Sequence, residues 1–115
     1  MSKPIKGIGS SLDDLRDFPK SVQDDTWFQL RQVQSGRAPT NWRSMAVVGP
    51  GVVEIKLKDR GNEYRVMYVA TFAEAVYVIH AFTKKTEKTS KRDITLAKTR
   101  YKQILRGRKP PGEAS

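Results

Sequence analysis

Five cations along one stretch of this chain are the residues best placed to do chemistry. They are Lys56, Lys58, Arg65, Lys84 and Lys85, set within VVEIKLKDRGNEYRVMYVATFAEAVYVIHAFTKK from Val52 to Lys85. Their types suit phosphate. A guanidinium donates two parallel N–H bonds to neighbouring oxygens of one anion. A lysine crowded by other cations gives up its proton more easily and becomes competent as base or acid. Arg65 stands apart, because a full charge inside an apolar strand needs a partner or a ligand. Its plain structural partner would be Glu54 or Glu63. His80 lies in the apolar run AVYVIHAF. It is a candidate for proton transfer, although such a histidine is more often a hydrogen-bonded core residue.

The residues that are missing narrow the reaction. The chain has no cysteine and one histidine, so a thiol nucleophile and a zinc site of conventional ligands are excluded. No GxxxxGK[ST] loop or GxGxxG turn is present, and the acids are scattered rather than paired. No metal and no cofactor is expected. Lysine and arginine remain, and phosphodiester chemistry fits them. RNA cleaves when its 2′-hydroxyl attacks the adjacent phosphate. A protein need only take that proton, stabilise the crowded phosphorane and protonate the leaving 5′ oxygen.

The charge agrees with such a target. Twenty-two Lys and Arg face twelve Asp and Glu in 115 residues, a net +10. Residues 1–50 hold seven cations and five anions, whereas residues 51–115 hold fifteen and seven. A field of that sign and asymmetry favours nucleic acid. No run approaches the roughly 18 apolar residues of a membrane span, and Lys3, Pro4 and Lys6 interrupt any apolar leader. A cytoplasmic protein without membrane contact is expected.

The elements that must position these cations follow from periodicity. Lys3–Ile8 reads as a short strand. Ser10 and Ser11 cap a short helix that Pro19 stops near Phe18. A second helix runs to about Ser35 before Gly36, with Val22, Thr26, Leu30 and Val33 on one face. Phe18, Trp27 and Phe28 are expected in the core. In the connector Arg37–Gly51, Trp42 and Met45 are expected to pin the loop, with a short strand around Met45–Val48. Val53, Ile55 and Leu57 then alternate with Glu54, Lys56 and Lys58, which places the apolar and charged sets on opposite faces. Asp59-Arg60-Gly61-Asn62 makes a turn into a strand from Tyr64 to Ala70. Ala75–Phe82 reads as a central strand covered on both faces. Ser90 caps a basic helix whose apolar stripe is Ile94, Ala97, Tyr101, Ile104 and Leu105. Lys91, Arg92, Lys98, Arg100, Lys102 and Arg106 take its other faces. Residues 1–107 make one domain and 108–115 a flexible tail.

EIKLK-DRGNEYRVMYVA, then VYVIHAFTKKT, then a basic helix resembles the RelE/HigB toxins of type II toxin–antitoxin systems, and their phage-derived branch above all. The likeness spans about Leu12 to Leu105. It implies an α+β fold: a twisted, mostly antiparallel sheet of about four strands, an N-terminal helical hairpin on one face and a basic C-terminal helix. It also implies an mRNA endoribonuclease acting at the ribosome and held by an antitoxin encoded beside it, often a helix-turn-helix protein. Arg65 matches the arginine that contacts the scissile phosphate in that family. Lys56 and Lys58 match basic residues that bind and activate RNA, and Lys84 or Lys85 the cation leaving the last strand. Catalysis is thus expected from Arg65, Lys85, Lys56 and His80, and RNA contact from Lys58, Lys84, Lys91, Arg92 and Lys98. Glu54 stands where relatives carry another lysine. The family's tyrosine after the last strand has no match, leaving proton transfer to His80 or Tyr68. Two alternatives stay open: a gyrase inhibitor on the same fold, and a phage-derived binding module without catalysis. Lys56 and Lys58 would also suit the solvent face of an edge strand.

Overall fold

The computed structural model describes residues 3–108. In chain order the elements are β1 (Ile5–Gly7), α1 (Ser11–Arg16), α2 (Lys20–Gln34), β2 (Trp42–Ser44), β3 (Val52–Asp59), β4 (Asn62–Val69), β5 (Val76–Lys84) and α3 (Lys91–Gly107). The five strands form one sheet in the order β1-β5-β4-β3-β2, antiparallel except where β1 joins β5. The central strand AVYVIHAF therefore lies between two neighbours. The helical hairpin covers one face and α3 the other, as an α+β fold with a basic final helix requires.

Two cores result. On the hairpin side Leu15, Val22, Leu30 and Val33 pack on Ile55, Leu57, Tyr64, Val66 and Val78. On the other side Ala97, Tyr101 and Ile104 of α3 pack on Val52, Met67, Val69, Tyr77 and Ile79. Burial of an apolar helical stripe against a sheet is the main source of stability in both layers. Arg60 and Gly61, at φ of 50° and 82°, make the tight β3–β4 turn. Two consecutive left-handed residues match the twist of a two-residue hairpin, and glycine adopts that conformation at no steric cost.

Several expectations are corrected. Phe28 is 51% exposed and Trp42 44% exposed, so neither is core. Phe28 falls on the outer side of α2, and Trp42 sits on the sheet's edge strand. The short strand of the connector is Trp42–Ser44, and Met45–Val48 turns instead, with Val48 N bonded to Met45 O. Glu54 does face away from the hairpin but is fully buried. Arg100 lies on the inner face of α3, not among its solvent cations. Of the expected tail, Arg108 pairs with Glu74 at 2.7 Å and covers the Phe72 ring, while residues 109–115 lie outside those described.

Candidate functional site

The site starts from a one-residue irregularity. Met67 pairs with His80, but Tyr68 pairs with Val78, which leaves Ile79 without a partner. This β-bulge breaks the alternation of β5. Before it, Val76 and Val78 face the hairpin; after it, His80, Phe82 and Lys84 face α3. Unbroken alternation would have sent all five to the hairpin core. The bulge thus brings Lys84, the one lysine of β5, onto the face that carries Lys56, Lys58 and Arg65.

The register arranges that face in rows. Lys56, Arg65 and Phe82 are directly opposed across three strands; so are Lys58, Glu63 and Lys84; Glu54, Met67 and His80 form the row nearest α3. Four of the five expected cations share this surface. Lys85 follows β5 and joins Lys84, Arg92, His80, Phe82, Ser90, Asp93 and Leu96 around an open cavity of about 340 Å³. Lys91 and Lys98 do not line the cavity; they point to solvent from α3.

Arg65 is not free. Its side chain is 3% exposed. Nη2 donates to Glu63 Oε1 at 2.9 Å, Nη1 donates to Tyr64 O at 3.2 Å, and Nε stands 3.5 Å from Glu54 Oε1 without a true hydrogen bond. Glu54 accepts from Arg43 Nε and from Thr89 Oγ1, both at 2.9 Å, and Arg43 Nη2 donates in turn to Thr89 Oγ1. One buried carboxylate therefore compensates two arginines and ties the residue before the α3 cap to the sheet. Lys84 has its pKa lowered, by desolvation first and then by Arg65. Glu63 is held below the usual carboxylate range, chiefly by its bond from Arg65 and further by Lys58 and Lys84.

A second network holds His80. Its Nε2 lies 2.7 Å from Asp93 Oδ1, and Nδ1 is 3.5 Å from Arg100 Nη1. Arginine only donates, so Nδ1 is the accepting nitrogen and Nε2 carries the proton toward Asp93. Both ring nitrogens are engaged, and Phe82 stacks on the ring at 4.6 Å. Asp93 completes the cap expected at Ser90: its N–H donates to Ser90 Oγ, and Ser90 Oγ donates to Asp93 Oδ2. Arg100 also donates to Ile79 O and Ser10 Oγ, passing over Gly9, where a Cβ would stand 2.8 Å from its Nε. Tyr68 belongs to the hairpin-side core, on the opposite face from Arg65, and burial pushes its pKa up to about 12. It stands apart from the cationic face.

Arg43, Thr89 and Arg100 escaped the sequence reading. For Arg100 a signal existed, because it lies three residues after Ala97 and four before Ile104, inside the apolar stripe. Arg43 and Thr89 sit in connectors whose paths no periodicity reveals.

Fold and site together define a small α+β protein with a cationic sheet face beside the N-terminus of its last helix. Residues 13–102 match the family described as "Phage derived protein Gp49-like (DUF891)", and the chain belongs to that family. The family is toxin-like in the general RelE sense. No curated protein matches the chain. Among the described residues no helix is long and apolar enough to cross a membrane.

Proposed function

We propose that this protein is the toxin of a type II toxin–antitoxin system, an endoribonuclease that cleaves mRNA at the ribosome in the cytoplasm without a metal. The observation that carries this reading is the gathering of Lys56, Lys58, Arg65 and Lys84 on one sheet face, next to a cavity rimmed by Lys85 and Arg92. The 2′-oxygen bonds to phosphorus as the bond to the 5′ oxygen breaks. The 2′-hydroxyl proton passes to a base, and the leaving oxygen receives a proton from an acid. Arg65 and Lys56 stabilise the phosphorane. Lys84, with its lowered pKa, and Lys85 are suited to proton transfer. His80, bonded at both nitrogens, serves by fixing the α3 N-terminus. A cognate antitoxin encoded alongside would restrain the activity.

Induced expression with mapping of transcript 5′ ends tests this. Growth arrest and discrete cleavage are expected. Both should fall at least tenfold in Lys84→Ala/Lys85→Ala, with Arg65→Ala compared after its melting temperature is checked. Full toxicity in a folded double variant overturns the site. One observation favours a second reading, a polyanion-binding module without catalysis: the strongest candidate, Arg65, is already paired. Salt-sensitive RNA binding with intact transcripts would select it.

A further inference from the structure

We propose that the carboxylate of Glu63 occupies a phosphate subsite built by Lys58, Arg65 and Lys84, and that an incoming phosphodiester binds there by displacing it. RNA as the source of that phosphate rests on the function proposed above; the subsite rests on geometry. Lys58 and Lys84 stand directly opposite Glu63 on its two neighbouring strands. Directly opposed side chains on one face have Cβ atoms about 5 Å apart. Arg65, two residues along the same strand, closes the third side with Nη2 at 2.9 Å. The carboxylate is therefore ringed by cations from three strands. The lowered pKa of Glu63, traced to those same residues, agrees with this arrangement.

The two glutamates that touch Arg65 differ in how they are held. Glu54 is fully buried and has Arg43 and Thr89 as further partners. Glu63 is 43% exposed, next to the β3–β4 turn, and among the described residues Arg65 is its one hydrogen-bonded partner. Swinging Glu63 out leaves Arg65 anchored by Glu54 and Tyr64 O, with Nη2 free. A phosphodiester carries the same single charge and offers two terminal oxygens to a guanidinium fork, as a carboxylate does. The cations are thus preassembled around an internal stand-in for the ligand, and binding exchanges one anion for another.

The test compares E63Q with wild type and with D13N, an 84% exposed position on α1 that changes net charge equally. Affinity for a 2′-O-methylated single-stranded RNA, which cannot be cleaved, is measured by anisotropy. Inorganic phosphate is titrated by NMR. E63Q is expected to bind the RNA on the order of tenfold tighter, against less than about twofold for D13N, and to gain phosphate-dependent shifts at Lys58, Arg65 and Lys84. If E63Q does not fold, E63D, which draws the charge back by one methylene, should show about a threefold gain. No gain beyond D13N in a folded variant overturns the subsite while leaving RNA binding by wild type intact. Phosphate binding by E63Q without RNA binding by either protein keeps the subsite and overturns the nucleic-acid function.

Discussion

The sheet face beneath α3 has two halves built from the same three strands. In one half Val52, Met67, Val69, Tyr77 and Ile79 are sealed by Ala97, Tyr101 and Ile104. In the other Lys56, Lys58, Glu63, Arg65 and Lys84 lie past the N-terminus of the helix. The difference is one of cover. Where the apolar stripe of α3 reaches, the sheet answers with apolar residues and gains stability. Where the helix has not yet begun, cations stand close together, which costs repulsion and has no packing return. The boundary is staffed by buried and half-buried groups that serve both halves. Glu54 neutralises Arg65 on the open side and binds Thr89 under the cap, and Asp93 binds His80 from the cap itself.

That division can be broken at the boundary first. Glu54→Ala leaves buried Arg65 with only the half-exposed Glu63 as counter-charge and Arg43 with only the neutral Thr89 hydroxyl. It should cost about 3–5 kcal/mol, read as a loss in urea unfolding free energy. A loss below 1 kcal/mol would mean the two halves do not share this support. On the open side, Lys84→Ala should leave stability within about 0.5 kcal/mol. Its effect should appear in binding: the slope of log affinity for single-stranded RNA against log salt should shrink by about 0.7, the share of one phosphate contact. An unchanged slope removes Lys84 from the interface. The smallest effect belongs to the sealed half, at its far end. Glu74, bonded by Arg108 and then by Tyr77, has its pKa lowered to about 2. A depressed carboxylate contributes stability above its unfolded value, here near the ordinary 4.5, and loses that contribution as pH falls through about 2. The pair is partly solvent-exposed, so its worth is slight. An NMR titration should place the Glu74 midpoint near 2, and Arg108→Ala should return it toward 4.5.

Much of the fold could be read from residue patterns. The alternation of β3, the turn through Arg60-Gly61, the stripe of α2 and the Ser90 cap all rest on local rules, and local rules survive folding. Phe28 and Trp42 were misplaced because an aromatic residue carries no mark of which helix side or sheet edge it will occupy. The cations were legible as a set, since charge is visible in sequence, but their pairing was not. The burial of Glu54 depends on Thr89, thirty-five residues on, reaching across to it. Nor could alternation reveal that β5 changes face midway.

That change of face has a further consequence. A strand without a bulge has one parity, so a demand for apolar residues on one face constrains every second position along its whole length. The unpaired Ile79 gives β5 two parities that join at a single residue. Val76 and Val78 answer to the hairpin core, whereas Phe82 and Lys84 answer to the open face, and neither pair restricts the other. Deleting Ile79 would remove the extra residue and restore regular alternation without readdressing either half: Val76, Val78 and Ala81 would keep the hairpin side, and His80, Phe82 and Lys84 the open face.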